Sequence, residues 1–133
     1  KKARCNGQLV GIGSVAGIRG LPGSEAYCAS KSAVITYCES LRVEMQKYGI
    51  RVSTICPGFV RTPLTAENPY KMPFIMEPED FAREAVEAIT ARARYRVIPW
   101  KMGVLAKIMR CVPDGLWDKI LANRKQKPRT TAQ

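Results

Sequence analysis

Histidine is absent from all 133 residues. Without an imidazole, Ser-His-Asp and Cys-His nucleophile pairs and His-ligated metal centres are excluded within this chain. The five cysteines, Cys5, Cys28, Cys38, Cys56 and Cys111, are odd in number and widely spaced, with no CxxC pair. That pattern supplies neither a zinc knuckle nor a disulfide framework, so no metal site is expected, and it fits a reducing cytoplasmic compartment. No apolar run approaches the roughly 18 residues that span a bilayer. The opening "KKARCNG" has no Met and does not read as a signal peptide, and the expectation is an internal piece of something longer.

Acidic residues are scarce at one end. Residues 1–91 carry 11 basic and 9 acidic side chains, whereas residues 92–133 carry 11 basic and 2 acidic. For that basic end three readings stay open: peripheral contact of residues 101–133 with an anionic membrane surface, ordinary packing of its helical part over the substrate cleft or a partner subunit, and a solvated terminus. Nucleic acid has charge alone in its favour and is not an expected partner.

The composition, 46% hydrophobic and 25% charged, is that of a packed chain rather than a disordered one. "GQLVGIGS" (7–14) is a short apolar run between glycines, as expected of a strand buried on both faces of a parallel sheet. Residues 15–24, with three glycines and a proline, form a loop. From 25 to 48 the period becomes helical, with Ala26, Ala29, Ala33, Tyr37 and Leu41 expected inward and Cys28 and Cys38 expected as small buried side chains, and Gly49 closes the helix. "IRVSTICPG" (50–58) predicts a second buried strand.

Residues 59–78 hold four prolines and no period, the pattern of a long functional loop. A helix is predicted over 78–94, burying Phe81, Ala85, Val86 and Ile89, and a last strand over 95–100. Residues 101–122 read as an amphipathic helical extension broken at Pro113-Asp114-Gly115, and 123–133 as a basic tail. Strand, helix, strand, helix, strand predicts an α/β fold with a parallel sheet, and three strands alone leave an apolar edge exposed.

"AYCASKSA" (26–33) puts Tyr27 and Lys31 one helical turn apart, on one face. A phenol ordinarily titrates near pH 10, and an adjacent ammonium pulls that value down by favouring the phenolate. A fall of about 3 corresponds to roughly 4 kcal/mol and makes the phenol a competent acid and base near neutrality. Ser14, at the carboxyl end of the first strand, is where an open α/β sheet holds its ligand, and its hydroxyl can donate to a substrate carbonyl. Spacing alone leaves two alternatives open: a catalytic pair, or a packed tyrosine beside a solvated lysine.

The combination "GSVAGIRGLPGSEAYCASKSAVITYCESLRVEM" followed by "GIRVSTICPGFVRTPL" closely resembles the short-chain dehydrogenase/reductase family of NAD(P)-dependent oxidoreductases. The match runs motif by motif over about residues 7–65 and more loosely over 66–100. The resemblance implies a Rossmann-type doubly wound parallel sheet, here only its C-terminal half (residues 1–122), and NAD or NADP as cofactor. It implies that Tyr27 is the general acid/base for a small-molecule carbonyl/alcohol substrate. It further implies that Lys31 tunes Tyr27 and bonds the nicotinamide ribose, and that Ser14 orients the carbonyl. Pro57 and Gly58 would line the nicotinamide, and Val60 and Thr62 would hold its carboxamide.

The glycine-rich phosphate turn, the "NNAG"-like segment and the asparagine expected upstream of the serine are all missing. The chain by itself is therefore expected to be inactive. The resemblance also implies a homo-oligomer formed through helix 25–48. The apolar, Met-containing stretch "AENPYKMPFIMEP" points to a hydrophobic substrate. Rival readings are an epimerase or dehydratase sharing the Tyr/Lys pair, an inactive scaffold of the same fold, and a basic membrane-surface module.

Overall fold

The computed structural model describes residues 6–66 and 71–123. Cys5, the centre of the long loop and nearly all of the basic tail lie outside them. Three strands, β1 (Gln8–Ile12), β2 (Arg51–Pro57) and β3 (Tyr95–Ile98), form a parallel sheet in the order β1-β2-β3. Val10 stands opposite Ser53, and Cys56 opposite Val97. The helices are α1 (Glu25–Met45), α2 (Pro63–Ala66), α3 (Pro78–Thr90), α4 (Trp100–Cys111) and α5 (Asp114–Ala122). A 3-10 turn over Val15–Gly17 precedes α1 and another over Gln46–Tyr48 ends it.

β2 is the spine. Its five residues from Val52 to Cys56 are buried, as the apolar run predicted. Neighbours on a strand point to opposite faces. Ile55 packs with Ala85, Ala88 and Ile98 beneath α3, while Cys56 packs with Val97 and Met102, flanked by Ile35 of α1 and Leu105 of α4. Helices thus cover both faces of a parallel sheet, the Rossmann-type layering that the alternation of elements implied.

Five expectations need correction. β1 is not buried on both faces: Leu9 and Ile12 are each 48% exposed. α3 packs on β2 and β3, and the outer edge of β1 has no strand beside it among the described residues. The inward side of α1 is also different. Ala26, Ala29, Ala33 and Tyr37 face out and only Leu41 is half-buried, while Cys28 and Cys38 are buried. A Cβ on Gly11 would overlap the Cys38 thiol, so the helix rests directly on the strand there, with small thiols inward where a phenol would not fit.

On α3, Val86 points outward and Ala88 takes its place in the core. This helix stops at Thr90, and Arg92, at φ 54°, turns the chain toward β3. β3 is correspondingly short, with Trp100 opening α4 instead of ending the strand. Gly49 adopts φ 68° behind α1, as expected of a terminating glycine. The break at 113 separates α4 from α5, where Val112 and Pro113 are extended.

Candidate active site

Ser14 leaves the carboxyl end of β1 and is buried, with 7% of its surface exposed. Its side-chain oxygen accepts from the Ala16 N–H at 3.1 Å, capping the 3-10 turn and fixing the rotamer. The turn is held against α1 by Gly17. A Cβ there would stand 2.6 Å from the Lys31 carbonyl carbon and 2.8 Å from its oxygen, so only glycine permits this approach. The serine loop and the Lys31 turn of the helix are in backbone contact.

Tyr27 and Lys31 share a face of α1, as their spacing required. The Lys31 Nζ lies 5.8 Å from the Tyr27 ring centroid and donates to the Ile12 carbonyl at 3.3 Å. That carbonyl ends β1 two residues before Ser14, so the lysine is anchored to the strand that delivers the serine. An ammonium has three donors, and one is used here. The Tyr27 side of the helix is open, with the residue 52% exposed and its hydroxyl bonded to no described residue.

The loop after β2 leaves the same end of the parallel sheet. Pro57 is the last residue of β2, and the Gly58 N–H donates to the Ile98 carbonyl at 2.8 Å. Val60 pairs with Met76 across the long loop, whose neck is closed by an Arg61–Glu77 ion pair at 2.7 Å. The Val60 carbonyl accepts from the Thr65 hydroxyl at 2.9 Å, whereas its N–H meets no acceptor among the described residues. The Thr62 hydroxyl is engaged locally, accepting from the Thr65 N–H at 3.3 Å at the start of α2.

Sequence reading missed several residues that build this edge. Thr65 gathers five hydrogen bonds that involve a side chain around α2, and its three-residue spacing from Thr62 is that of a capping pair, the one signal that was present. Arg19 is nine-tenths buried and donates to the carbonyls of Met109, Arg110 and Val112 at the end of α4, of which Met109 also accepts from the Val112 N–H. Its guanidinium also stacks on Trp117 at 4.8 Å, and the Trp117 indole donates to the Gly20 carbonyl at 3.2 Å. The Ser14 loop is in this way tied to the carboxyl-terminal helices.

A groove of about 700 Å³ lies between residues 16–22, the first turns of α1 and α5. Ser14, Tyr27 and Lys31 do not line it.

Behind Ser14, burial pushes the Cys56 thiol above its usual value, and bonds from Tyr95 and the Ser14 N–H offset this only in part. Burial, with Cys56 beside it, pushes the Tyr95 phenol up as well. Both stay protonated at neutral pH, so neither acts as a nucleophile.

A parallel sheet with helices on both faces, Ser14 after the carboxyl end of β1 and Lys31 bonded to that same strand end, sets the class. Residues 2–72 match the short chain dehydrogenase family, and the chain belongs to it. An uncharacterized oxidoreductase of Myxococcus xanthus is 42% identical over 115 residues, covering 86% of this chain and 46% of the relative. Oxidoreductase UcpA of Escherichia coli K12 is 38% identical over 108 residues, covering 80% and 40%. The chain thus spans less than half the length of these relatives. In fold it is similar to a short-chain dehydrogenase from Sphingobium yanoikuyae solved in complex with NADPH, with a TM-score of 0.65 and 22% identity over 97% of this chain and 49% of that one.

Proposed function

We propose that these residues form the proton-transfer edge of an NAD(P)-dependent oxidoreductase acting on a carbonyl/alcohol pair. The observation that carries the reading is the anchoring of Lys31 and the Ser14 turn to one strand end, with Tyr27 beside the lysine. Lys31 bonds the end of β1, Gly17 seats the Ser14 turn on the Lys31 backbone, and Tyr27 stands one turn away with its hydroxyl bonded to none of the described residues.

In the reducing direction the Ser14 hydroxyl donates to the substrate carbonyl oxygen and Tyr27 delivers the proton to it. In the oxidising direction Tyr27 removes that proton, and the Lys31 ammonium stabilises the phenolate formed. NAD or NADP, when bound, supplies or accepts the hydride. Among the described residues the donors left over fit such a cofactor: two remain on Lys31 for ribose hydroxyls, and the Val60 N–H is open to a carboxamide oxygen. Pro57 and Gly58 would line the nicotinamide. Thr62 fits less directly, because its hydroxyl is engaged with Thr65.

These 133 residues contain no glycine-rich phosphate turn, and we place the cradle for the cofactor phosphates in further chain of the same fold. The relatives' greater length supports that. The exposed edge of β1 offers a pairing partner for such chain. Exposed Tyr37 and Val43 on α1 support association of two copies through this helix. Phe74, 46% exposed on the long loop, supports a hydrophobic substrate.

The test is ketone-dependent oxidation of NADPH or NADH by the complete polypeptide that carries this sequence, compared with the 133 residues alone. Turnover by the former and none by the latter is expected. Turnover by the 133 residues alone would overturn the division of labour.

A further inference from the structure

We propose that the outward face of α4 docks on the surface of an anionic lipid bilayer. This helix buries Met102 and Ala106 against β3 and the 3-10 turn before α1. A second apolar stripe lies on the opposite side. Trp100 is 67% exposed, Val104 49% and Ile108 58%, and they recur every four residues together with exposed Cys111. At 100° per residue these four positions fall within a sector of about 80°, with Lys101 just beyond one border and Lys107 just beyond the other. The helix contains no acidic residue. An apolar band rimmed by lysines is the pattern of a helix lying in the plane of a bilayer, its hydrocarbon face down and its ammonium groups at the lipid phosphates.

Helix α5 repeats the pattern on a smaller scale, with Leu116 and Ile120 half exposed beside Lys119. Charge makes the partner anionic, since residues 92–133 carry 11 basic and 2 acidic side chains. No helix among the described residues is long and apolar enough to cross a membrane, so the contact is peripheral. Chain pairing with the free edge of β1 would join the side of the sheet away from β3, the strand that leads into α4.

The experiment is co-sedimentation of the full chain with vesicles of phosphatidylcholine and phosphatidylserine in equal parts, against phosphatidylcholine alone. Binding to the anionic vesicles only, weakened as salt shortens the Debye length from about 10 Å toward 3 Å, is expected. A Trp100→Glu/Ile108→Glu double variant, with far-ultraviolet circular dichroism showing retained helix, should lose at least about tenfold in partition. The milder Lys101→Gln/Lys107→Gln variant should also lose binding while keeping the apolar stripe. Three results would overturn the proposal. One is no sedimentation with anionic vesicles. Another is binding unaltered by the double variants, which would assign it to the basic tail. The third is a dimer that the Trp100/Ile108 variant dissociates without any vesicle binding, which would make the face a contact between two copies.

Discussion

Gly17 lies against the backbone of Lys31, where a Cβ would come within 2.6 Å of the carbonyl carbon. The lysine that faces Tyr27 is therefore also the point on which the serine loop rests. Backbone cannot yield as a flexible side chain can, so Gly17→Ala must lift the 3-10 turn off α1. A loss of about 1–3 kcal/mol is expected, as for overpacking in a core. Gly20→Ala is the control, because a Cβ there meets nothing within 4 Å, and its effect should stay within about 0.5 kcal/mol. Urea unfolding of the two variants checks the pair.

Arg19 predicts a similar asymmetry. Its guanidinium satisfies the last carbonyls of α4 and stacks on Trp117, and a lysine can reproduce neither the fork nor the stacking. Arg19→Lys should cost about 1–3 kcal/mol and raise amide exchange in α5 before the rest of the chain. The bond from Arg19 to Asp114 is the same contact seen from its weak side. That carboxylate is 99% exposed, so Asp114→Asn should leave the unfolding midpoint nearly unchanged.

Thiol chemistry should follow burial. In a Cys5→Ser background, Cys111 should react with an aromatic disulfide reagent in the native chain, and Cys28, Cys38 and Cys56 only after denaturant is added. Fast reaction of more than one thiol in the native chain would contradict the packing of α1 on β1.

Cys56 and Tyr95 set a pH dependence. Both titrate higher in the folded chain than in the unfolded one, so the folded state keeps protons that the unfolded state releases at alkaline pH. Their contribution is full below the ordinary thiol value of 9.0 and is lost as the pH rises from there toward the folded values. The urea midpoint should hold up to about pH 9 and fall as the pH rises beyond it, and Cys56→Ala should make that decline shallower.

The sequence spoke most clearly where local chemistry decides. β2 announced itself as an unbroken apolar run, Gly49 as a terminator, and Tyr27 with Lys31 as one face of a helix. It spoke poorly where a partner decides. Cys28 and Cys38 were legible as small buried side chains, but nothing local says that the alanines of α1 give way to them, a choice made by Gly11 across the layer. Ala88 shares a face with Phe81, Ala85 and Ile89, whereas Val86 lies about 100° round the helix from Ala85. The exposure of β1 follows from α3 lying over the other two strands. Arg19 sits in a glycine-rich loop about ninety positions from the carbonyls it caps, a distance that no local pattern spans.

The most direct measurement is the rate of NADPH-dependent ketone reduction by the complete polypeptide carrying this sequence, with Tyr27 intact and as Tyr27→Phe. Phenylalanine keeps the ring and its place beside Lys31 and removes only the proton. A loss of about 10²–10⁴-fold with cofactor binding retained is the predicted result. Equal rates for the two proteins would contradict the assignment of proton transfer to Tyr27.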